Sequence, residues 1–253
     1  PYFNHVVATA INISRLKMDA MTIAAGLMHD VLEDTKVTNA EMAKEFGEEI
    51  TKLVEGVTKL GTLKYTGKER HVESLRKFFV AMADYIRVVV IKLCDRLHNI
   101  QTLQYVNEEK QKRIALETLE IHARLADRLG MGRLKAELED NAFPYVYKAE
   151  YERTKELMGG SSIMSDEALD KVASNLRDEL KILDVTIDRV DHRIKHIYSL
   201  WQKLKKNNYE IEKVYDIVAL RIITPTLADC YQALGVVHGL YRPVPGRFKD
   251  YIA

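Results

Sequence analysis

The sequence predicts a mainly helical fold followed by a shorter part of mixed α/β structure. Across residues 5–157, apolar side chains recur at the spacing of amphipathic helices. From residue 184 onward, strand-like runs at 185–187 and 214–224 alternate with helical runs. Two strands are too few to complete a sheet, so we expect the α/β part to be partial.

Several helices of the first part have clear boundaries. Thr38 and Glu41 form a capping-box pattern that opens a helix ending near Gly47. Residues 84–104 are apolar almost all round, which predicts a central buried helix. Residues 108–128 follow as another helix with apolar positions at helical spacing. These helices carry the polar positions on which the functional argument depends.

A short flexible segment separates the two parts. Residues 158–162 are small and polar, which is typical of a linker. Ser165 is placed to cap a helix that runs to about 183. We therefore predict one domain over 1–157, a linker and connecting helix over 158–183, and a second domain over 184–253.

The bulk composition is that of an ordinary globular protein. The 253 residues are 47% hydrophobic and 30% charged, and the net charge of +1 gives no signal for nucleic acid or a membrane surface. No apolar run reaches the roughly 20 residues of a membrane-spanning helix. Cys94 and Cys230 lack metal or redox spacing, which favours the cytoplasm. Because there is no initiator Met and no terminating element, we expect a fragment at both ends.

The most informative feature is the adjacent pair His29-Asp30, in a segment that is otherwise apolar at helical spacing. Ionisable side chains on such a surface are costly unless they are paired or bind a metal. An imidazole and a carboxylate side by side can ligate one divalent ion. We therefore expect the pair to lie within a helix and to serve metal-dependent hydrolysis, provided that other ligands arrive from elsewhere.

Two further residues could complete a metal site. His5 lies on the preceding predicted helix, and Asp95 lies at the polar end of the central helix. Asn99 follows Asp95 by four residues and shares its helix face. Taken alone, His5 is more often a satisfied or surface histidine, and Asp95 more often pairs with Arg96. The metal hypothesis therefore depends on the combination.

Glu33 and Asp34 follow the His29-Asp30 pair by about one turn, on the same predicted face. They could orient or deprotonate a water molecule beside the ion. Two imidazoles and two carboxylates suit manganese, iron or zinc better than calcium or magnesium. The pattern therefore predicts a hydrolase that uses a transition-metal ion.

These segments are similar to those of a known family. Residues 29–34 resemble the HDxxED signature of the RelA/SpoT family, which makes and degrades the alarmone (p)ppGpp. His5 lies where that family has its first metal histidine. Residues 57–61 resemble its VTKLG segment, and residues 92–99 resemble its KLADRLHN motif.

The later part resembles the synthetase of the same family. Residues 192–199 resemble the opening motif GRPKHIYS, with His192 and Ile194 in place of Gly and Pro. Residues 215–221 resemble the strand with a magnesium-binding Asp, and residues 242–253 resemble the RPxPGRFKDYIA stretch. The motifs occur in the family's order along the whole chain.

The resemblance implies an all-helical HD-type hydrolase domain followed by part of a nucleotidyltransferase-like synthetase domain, as in long bifunctional stringent-response enzymes. The hydrolase would use Mn²⁺ to remove the 3′-pyrophosphate of guanosine tetra- or pentaphosphate, giving GDP or GTP. Carried over by position, the metal ligands would be His5, His29, Asp30 and Asp95, the water-activating pair Glu33 and Asp34, and the substrate contacts Asn99, Lys59 and Arg96.

For the synthetase, the resemblance implies ATP contacts from Arg193 and Lys195, phosphate contacts from Lys203 and Lys249, and Mg²⁺ binding by Asp216. The family's guanine-stacking tyrosine and second catalytic carboxylate would follow the last residue of this sequence. Its basic substrate-holding segment would precede the first residue. We therefore expect hydrolysis and no pyrophosphate transfer from this chain. Ribosome binding belongs, in this family, to C-terminal domains absent from this sequence.

Two other functions stay open from the sequence. The first is another HD-type phosphohydrolase that acts on cyclic or deoxynucleotides, which the motifs after residue 190 argue against. The second is a regulatory nucleotide-binding module whose hydrolase is held inactive, because coupling between two sites does not show in motifs.

Overall fold

The computed structural model describes residues 2–61, 86–160 and 166–252. The chain divides into two compact units, Pro1–Glu152 and Arg153–Ala253. Both are dominated by helices, and the second holds a two-stranded antiparallel sheet. The predicted fold class, mainly α with a partial α/β part, is confirmed. None of the helices in the described ranges combines the length and the apolar character that crossing a bilayer requires.

Short turns join most of the helices of the first unit. The helices are α1 (Tyr2–Arg15), α2 (Ala20–Leu27), α3 (Val31–Asp34), α4 (Asn39–Phe46), α5 (Glu48–Gly61), α6 (86–101), α7 (Glu108–Glu117), α8 (Ala123–Arg128) and α9 (Gly132–Val146), and α10 (Lys148–Gly160) continues into the second unit.

Local signals set several of these boundaries. The capping box that opens α4 is confirmed, since Thr38 accepts from the Glu41 backbone and the Glu41 carboxylate accepts from the Thr38 backbone at 2.8 Å. The Asp19 carboxylate caps α2 by accepting from the Thr22 backbone at 3.0 Å. Gly47 ends α4 with a positive φ of 86°, a conformation that a side chain would strain.

Helix α6 belongs to the core of the first unit. Val89 and Leu93 are fully buried, which confirms the central buried helix over its described residues. Gly56 of α5 allows a close approach, because a Cβ atom there would lie 2.8 Å from Cγ2 of Val88. The absence of a side chain at Gly56 therefore permits α5 and α6 to pack tightly.

Helices α1 and α2 meet at a second close approach. A Cβ atom at Gly26 would overlap Cδ1 of Ile13 and would lie 3.8 Å from Cα of Ala10. Ile13 is itself fully buried. The glycine therefore lets α1 pack directly on the last turn of α2, just before His29.

The helix predicted over 108–128 is confirmed, but it is not α-helical throughout. Helices α7 and α8 are separated by a π-helical turn at Thr118–His122. This wider turn buries Thr118, Leu119, Ile121 and His122 together. Apolar spacing on either side gives no sign of the additional residue, so the sequence did not indicate the π-helical turn.

The second unit packs helices around one antiparallel strand pair. Its elements are α11 (Asp166–Ile182), β1 (Arg189–Ile194), α12 (Ile197–Lys206), β2 (Val218–Ile223) and α13 (Leu227–Leu240). In the sheet, Arg189 pairs with Ile223 and Ile194 with Val218. The strand predicted at 185–187 is wrong, because β1 begins later among residues whose charges concealed the strand pattern.

Two apolar clusters hold this second unit together. The first joins α11, β1 and α13 through Ala173, Leu176, Leu180, Val185, Val190 and Ala233. The second joins α12 to the segment before β2 through Leu200, Leu204, Val214 and Ile217. Leu157 and Met158 of α10 pack against the second cluster, so the linker predicted to begin at residue 158 starts inside a helix.

Candidate metal centre

His29 and Asp30 lie in a turn, not within a helix as the sequence predicted. Helix α2 ends at Leu27, and α3 begins at Val31. In a continuous helix, adjacent side chains point about 100° apart. The break instead brings His29 Nε2 within 3.2 Å of Oδ1 of Asp30, so both side chains face one site.

The structure brings together the four predicted ligands from three places in the chain. Nε2 of His5 on α1 lies 3.2 Å from Nε2 of His29, 3.8 Å from Oδ2 of Asp30 and 3.3 Å from Oδ1 of Asp95 on α6. His29 Nε2 lies 3.8 Å from the same Asp95 oxygen. In the described part of the chain, His5, His29 and Asp30 form a group with ligand atoms within 4.8 Å of one another.

These separations fit a bound transition-metal ion. With metal–ligand distances of about 2.1 Å, two ligand atoms lie about 3.0 Å apart at a right angle and about 3.4 Å apart at a tetrahedral angle. Three of the five distances from the two imidazole Nε2 atoms, 3.2 to 3.3 Å, lie in that range. The other two, each 3.8 Å, lie between it and the roughly 4.2 Å expected for ligand atoms on opposite sides of an ion. Two imidazoles and two carboxylates form a donor set for manganese, iron or zinc.

Each of the two buried ligands, His29 and Asp95, has a polar partner that favours the protonation state needed to bind a cation. His29 is 1% exposed, and its Nδ1 lies 2.8 Å from the carbonyl oxygen of Gly26. Since a carbonyl only accepts, Nδ1 of His29 carries the proton and Nε2 presents a lone pair to the site. Burial opposes a charged ring, but the hydrogen bond and charge of Asp30 and the charge of Asp95 raise the pKa of His29.

Asp95 is held as a carboxylate despite its burial. It is 3% exposed, and Lys92 lies 2.8 Å from its Oδ2. Burial alone would raise the pKa of Asp95, but the hydrogen bond from His5 and the charges of Lys92 and His29 hold it well below its usual range. Lys92 is absent from the site predicted from the sequence, although its spacing of three residues from Asp95 on one helix face could have indicated the ion pair.

Asn99 is an exposed residue whose side chain contacts the metal site. Its Nδ2 donates to Oδ1 of Asp95 at 2.6 Å, which agrees with the shared helix face predicted from the sequence. Asn99 therefore orients the carboxylate that the two histidines approach. Tyr2 is a further residue beside the site that the sequence did not indicate. Burial and the charges of Asp30 and Asp34 raise its pKa to about 12.

Glu33 and Asp34 lie on α3, immediately after the turn. Their backbone amides donate to the Asp30 carbonyl oxygen at 3.1 and 2.8 Å. Both residues are exposed, and within the described ranges neither carboxylate has a hydrogen bond or ion pair. The structure thus places two open carboxylates one short turn from a proposed metal ligand.

The cationic candidates have partners of their own. Lys59 is largely exposed on α5 and lies 2.8 Å from Oε1 of Glu55. Arg96 is mostly buried, and its Nη2 donates to Oε1 of Glu117 at 3.1 Å. The pair from Arg96 to Glu117 ties α6 to the last residue of α7, next to Asp95.

A second polar site lies in the second unit around Asp216. Lys195 Nζ lies 2.8 Å from Oδ2 of Asp216, and Lys203 donates to the same oxygen. Although burial opposes the charge, these two lysines lower the pKa of Asp216 to about 2. Lys203, Asp216 and Lys249 line a cavity of about 760 Å³. Arg193 is exposed on β1 opposite Ala219 and does not line this cavity.

Family profiles cover both parts of the chain. The profile of the HD domain matches residues 1–132, and that of the region found in RelA / SpoT proteins matches residues 192–253.

Curated relatives match the chain over its whole length. "Guanosine-3′,5′-bis(diphosphate) 3′-pyrophosphohydrolase" of Aquifex aeolicus is 46% identical, "GTP pyrophosphokinase" of Streptomyces coelicolor is 44% identical, and "Bifunctional (p)ppGpp synthase/hydrolase SpoT" of Escherichia coli is 41% identical. Each match covers 100% of this chain and 36%, 30% and 36% of the respective relative, so the chain spans about a third of their length.

Proposed function

Because this chain belongs to the RelA/SpoT family and carries an HD domain over residues 1–132, we propose that it hydrolyses the 3′-pyrophosphate of (p)ppGpp with the help of Mn²⁺. The products are GDP or GTP and pyrophosphate. The observation that carries the proposal is the convergence of His5, His29, Asp30 and Asp95 from α1, the turn after α2, and α6.

The residues of the site divide the work between holding the ion and handling water. His5 and His29 would bind the ion through ring nitrogens, and Asp30 and Asp95 would bind it through carboxylate oxygens. When bound, the ion supplies a Lewis acid that withdraws charge from the phosphate oxygens. Glu33 and Asp34 offer carboxylates that orient an attacking water molecule and accept its proton.

The substrate is proposed from the second unit and from the relatives. A divalent ion between two histidines and two carboxylates would serve many phosphate esters. The RelA/SpoT region at 192–253 and the names of the relatives favour a guanosine alarmone over cyclic or deoxynucleotides. We also propose that residues 1–157 form the hydrolase domain and that 158–183 connect it to the synthetase part at 184–253.

The second unit supports a further role in binding ATP. The cavity beside Asp216 is lined by Lys203, Lys249 and Arg247, which provides several cations for a polyphosphate. Asp216 offers the carboxylate that would hold Mg²⁺ once nucleotide phosphates have drawn the lysines away. Calorimetric titration with ATP and Mg²⁺ should give weaker binding for Lys249→Ala than for the unaltered chain. Equal affinities of Lys249→Ala and the unaltered chain for ATP would show that Lys249 does not contribute to ATP binding.

The hydrolase proposal is tested by incubating the chain with ppGpp and Mn²⁺ and measuring pyrophosphate release. We expect GDP and pyrophosphate in equal amounts, loss of the reaction with a chelator, and no reaction with Asp30→Ala. Asp178→Ala, at an exposed position of α11, serves as the matched control and should react normally. No release from a folded chain that binds Mn²⁺ would refute the proposal, and faster turnover of a cyclic or deoxynucleotide would assign another substrate.

A further inference from the structure

His98 on α6 makes a close contact with one proposed metal ligand. Its Nδ1 lies 2.7 Å from Nδ1 of His5, and the two ring centroids are 4.8 Å apart. His5 uses its other nitrogen, Nε2, toward His29, Asp30 and Asp95. The His5 ring therefore spans from the metal site to His98.

The two metal-site histidines differ in what fixes their protons. The partner of His29 Nδ1 is the Gly26 carbonyl oxygen, which can only accept a hydrogen bond. The partner of His5 Nδ1 is another imidazole nitrogen, which can donate or accept according to its own tautomer. One of the two nitrogens in that contact must carry the proton, and the other must carry the lone pair.

Only one of the two arrangements leaves His5 able to bind a metal. If His98 donates, Nδ1 of His5 is the acceptor and a neutral His5 carries its proton on Nε2, where the ion would be. If His98 accepts, Nδ1 of His5 carries the proton and Nε2 presents its lone pair. The second arrangement requires a neutral His98 with its own proton on Nε2.

We propose that His98 is a positioning residue that holds His5 as the Nδ1–H tautomer and aims its Nε2 into the metal site. This inference rests on the metal site of the proposed function. The contact also fixes the ring orientation of His5, since rotation by 180° would exchange Nδ1 for a carbon atom and lose the hydrogen bond. His98 thus acts on the ion through His5, in the manner of partners that orient metal-bound histidines.

Two substitutions separate hydrogen bonding from packing. In His98→Asn, the amide oxygen can take the place of Nδ1 and still accept from His5. In His98→Leu, the side chain fills similar space without an acceptor. A His→Leu control is available at His238 of the second unit, whose ring packs on Phe248.

The first measurement is the binding of Mn²⁺ alone, by titration of the full chain with detection by electron paramagnetic resonance. We expect His98→Leu to weaken binding about 10–100-fold, as removal of such partners typically does, and His98→Asn to stay within about threefold of the unaltered chain. His238→Leu should bind normally. Far-UV circular dichroism of each variant establishes that it is folded.

The second measurement is the ring N–H signal of His5 in ¹H–¹⁵N spectra of the chain loaded with diamagnetic Zn²⁺, because in the metal-free chain Nε2 of His5 faces the acceptors His29 Nε2 and Asp95 Oδ1 and would itself carry a proton. The Nδ1–H proton should be protected from exchange with water in the unaltered chain and in His98→Asn, and should exchange rapidly in His98→Leu. Unchanged affinity and unchanged protection of the His5 Nδ1–H proton in His98→Leu would overturn the inference. Equal losses of affinity in His98→Leu and His98→Asn would also overturn it, because packing alone would then explain them.

These outcomes are distinct from failure of the proposed function, since neither measurement uses an alarmone. A chain that binds Mn²⁺ but leaves ppGpp intact would refute the hydrolase and leave the role of His98 to the two variants. A chain that binds no Mn²⁺ would refute the metal site, on which the inference depends.

Discussion

Replacing Gly26 by alanine tests the packing that places His5 beside His29. Gly26 lies in α2 where α1 crosses it, and an added Cβ atom would overlap Cδ1 of the fully buried Ile13. The overlapping atom is the end of a flexible side chain. Ile13 must therefore adopt another rotamer, or α1 must move away from α2 by about 1 Å to restore ordinary contact between the two carbon atoms.

The size of the effect follows from two opposing contributions. Overpacking a core position typically costs about 1–3 kcal/mol of unfolding free energy. Alanine in place of glycine within a helix returns about 0.5–1 kcal/mol. We therefore expect Gly26→Ala to lower the unfolding free energy of the first unit by about 1–2 kcal/mol. The displaced α1 should also weaken Mn²⁺ binding, because it carries His5.

Urea unfolding followed by far-UV circular dichroism measures the loss, and hydrogen exchange of α1 and α2 assigns it to the first unit. Ile13→Val removes the overlapping Cδ1 atom and should cost about 0.5–1.5 kcal/mol alone. Combined with Gly26→Ala it should cost less than the sum, with a coupling of about 1 kcal/mol. Gly132→Ala is the matched control, since a Cβ atom there meets nothing within 4 Å and should not destabilise the chain.

The reasoning is refuted if Gly26→Ala is as stable as the unaltered chain. It is refuted equally if Ile13→Val fails to reduce the cost, because the overlap would then not be its cause.

Three further predictions concern other parts of the chain. The lysine partners of Asp216 lower its pKa to about 2, so the pairing stabilises the second unit above about pH 4 and loses that effect as the pH falls towards 2. Because this carboxylate is half exposed, acid titration should show a loss of unfolding free energy of less than about 1 kcal/mol, and Asp216→Asn should abolish that loss. Burial raises the pKa of Cys94 to about 12, so a thiol reagent should modify Cys94 only after unfolding and the half-buried Cys230 first. Thr38→Ala removes a hydroxyl that accepts from the Glu41 backbone and should cost about 1 kcal/mol in urea unfolding, whereas Thr38→Ser should cost little.

The sequence predicted which residues would meet better than it predicted the backbone that brings them together. The types of these residues and their order along the chain were enough to predict the convergence of His5, His29, Asp30 and Asp95. The turn at His29 was missed, since apolar residues on both sides continue a helical spacing through it. The packing of α1 against Gly26 just before the break is a long-range contact, and periodicity within one segment cannot report such contacts.

Other differences have similar physical origins. Strand β1 contains Arg189, Asp191, His192 and Arg193, whose charges on a partly exposed two-stranded sheet conceal its strand character. The contact from His98 to His5 joins residues 93 positions apart, so no local pattern could indicate it. The roles assigned to Glu33, Asp34, Lys59 and Arg96 stay predictions, because they concern a substrate.

The π-helical turn at Thr118–His122 has a consequence for how this helix tolerates changes in length. Such a turn is an α-helix with one surplus residue, and removing one residue elsewhere in a helix rotates everything beyond it by about 100°. A deletion within this segment would instead restore ordinary helical winding while keeping α7 and α8 near their present orientation. Glu117, which binds Arg96, immediately precedes the turn. The surplus residue thus allows a one-residue deletion to be absorbed next to Glu117, the residue that pairs with α6, the helix that carries Asp95.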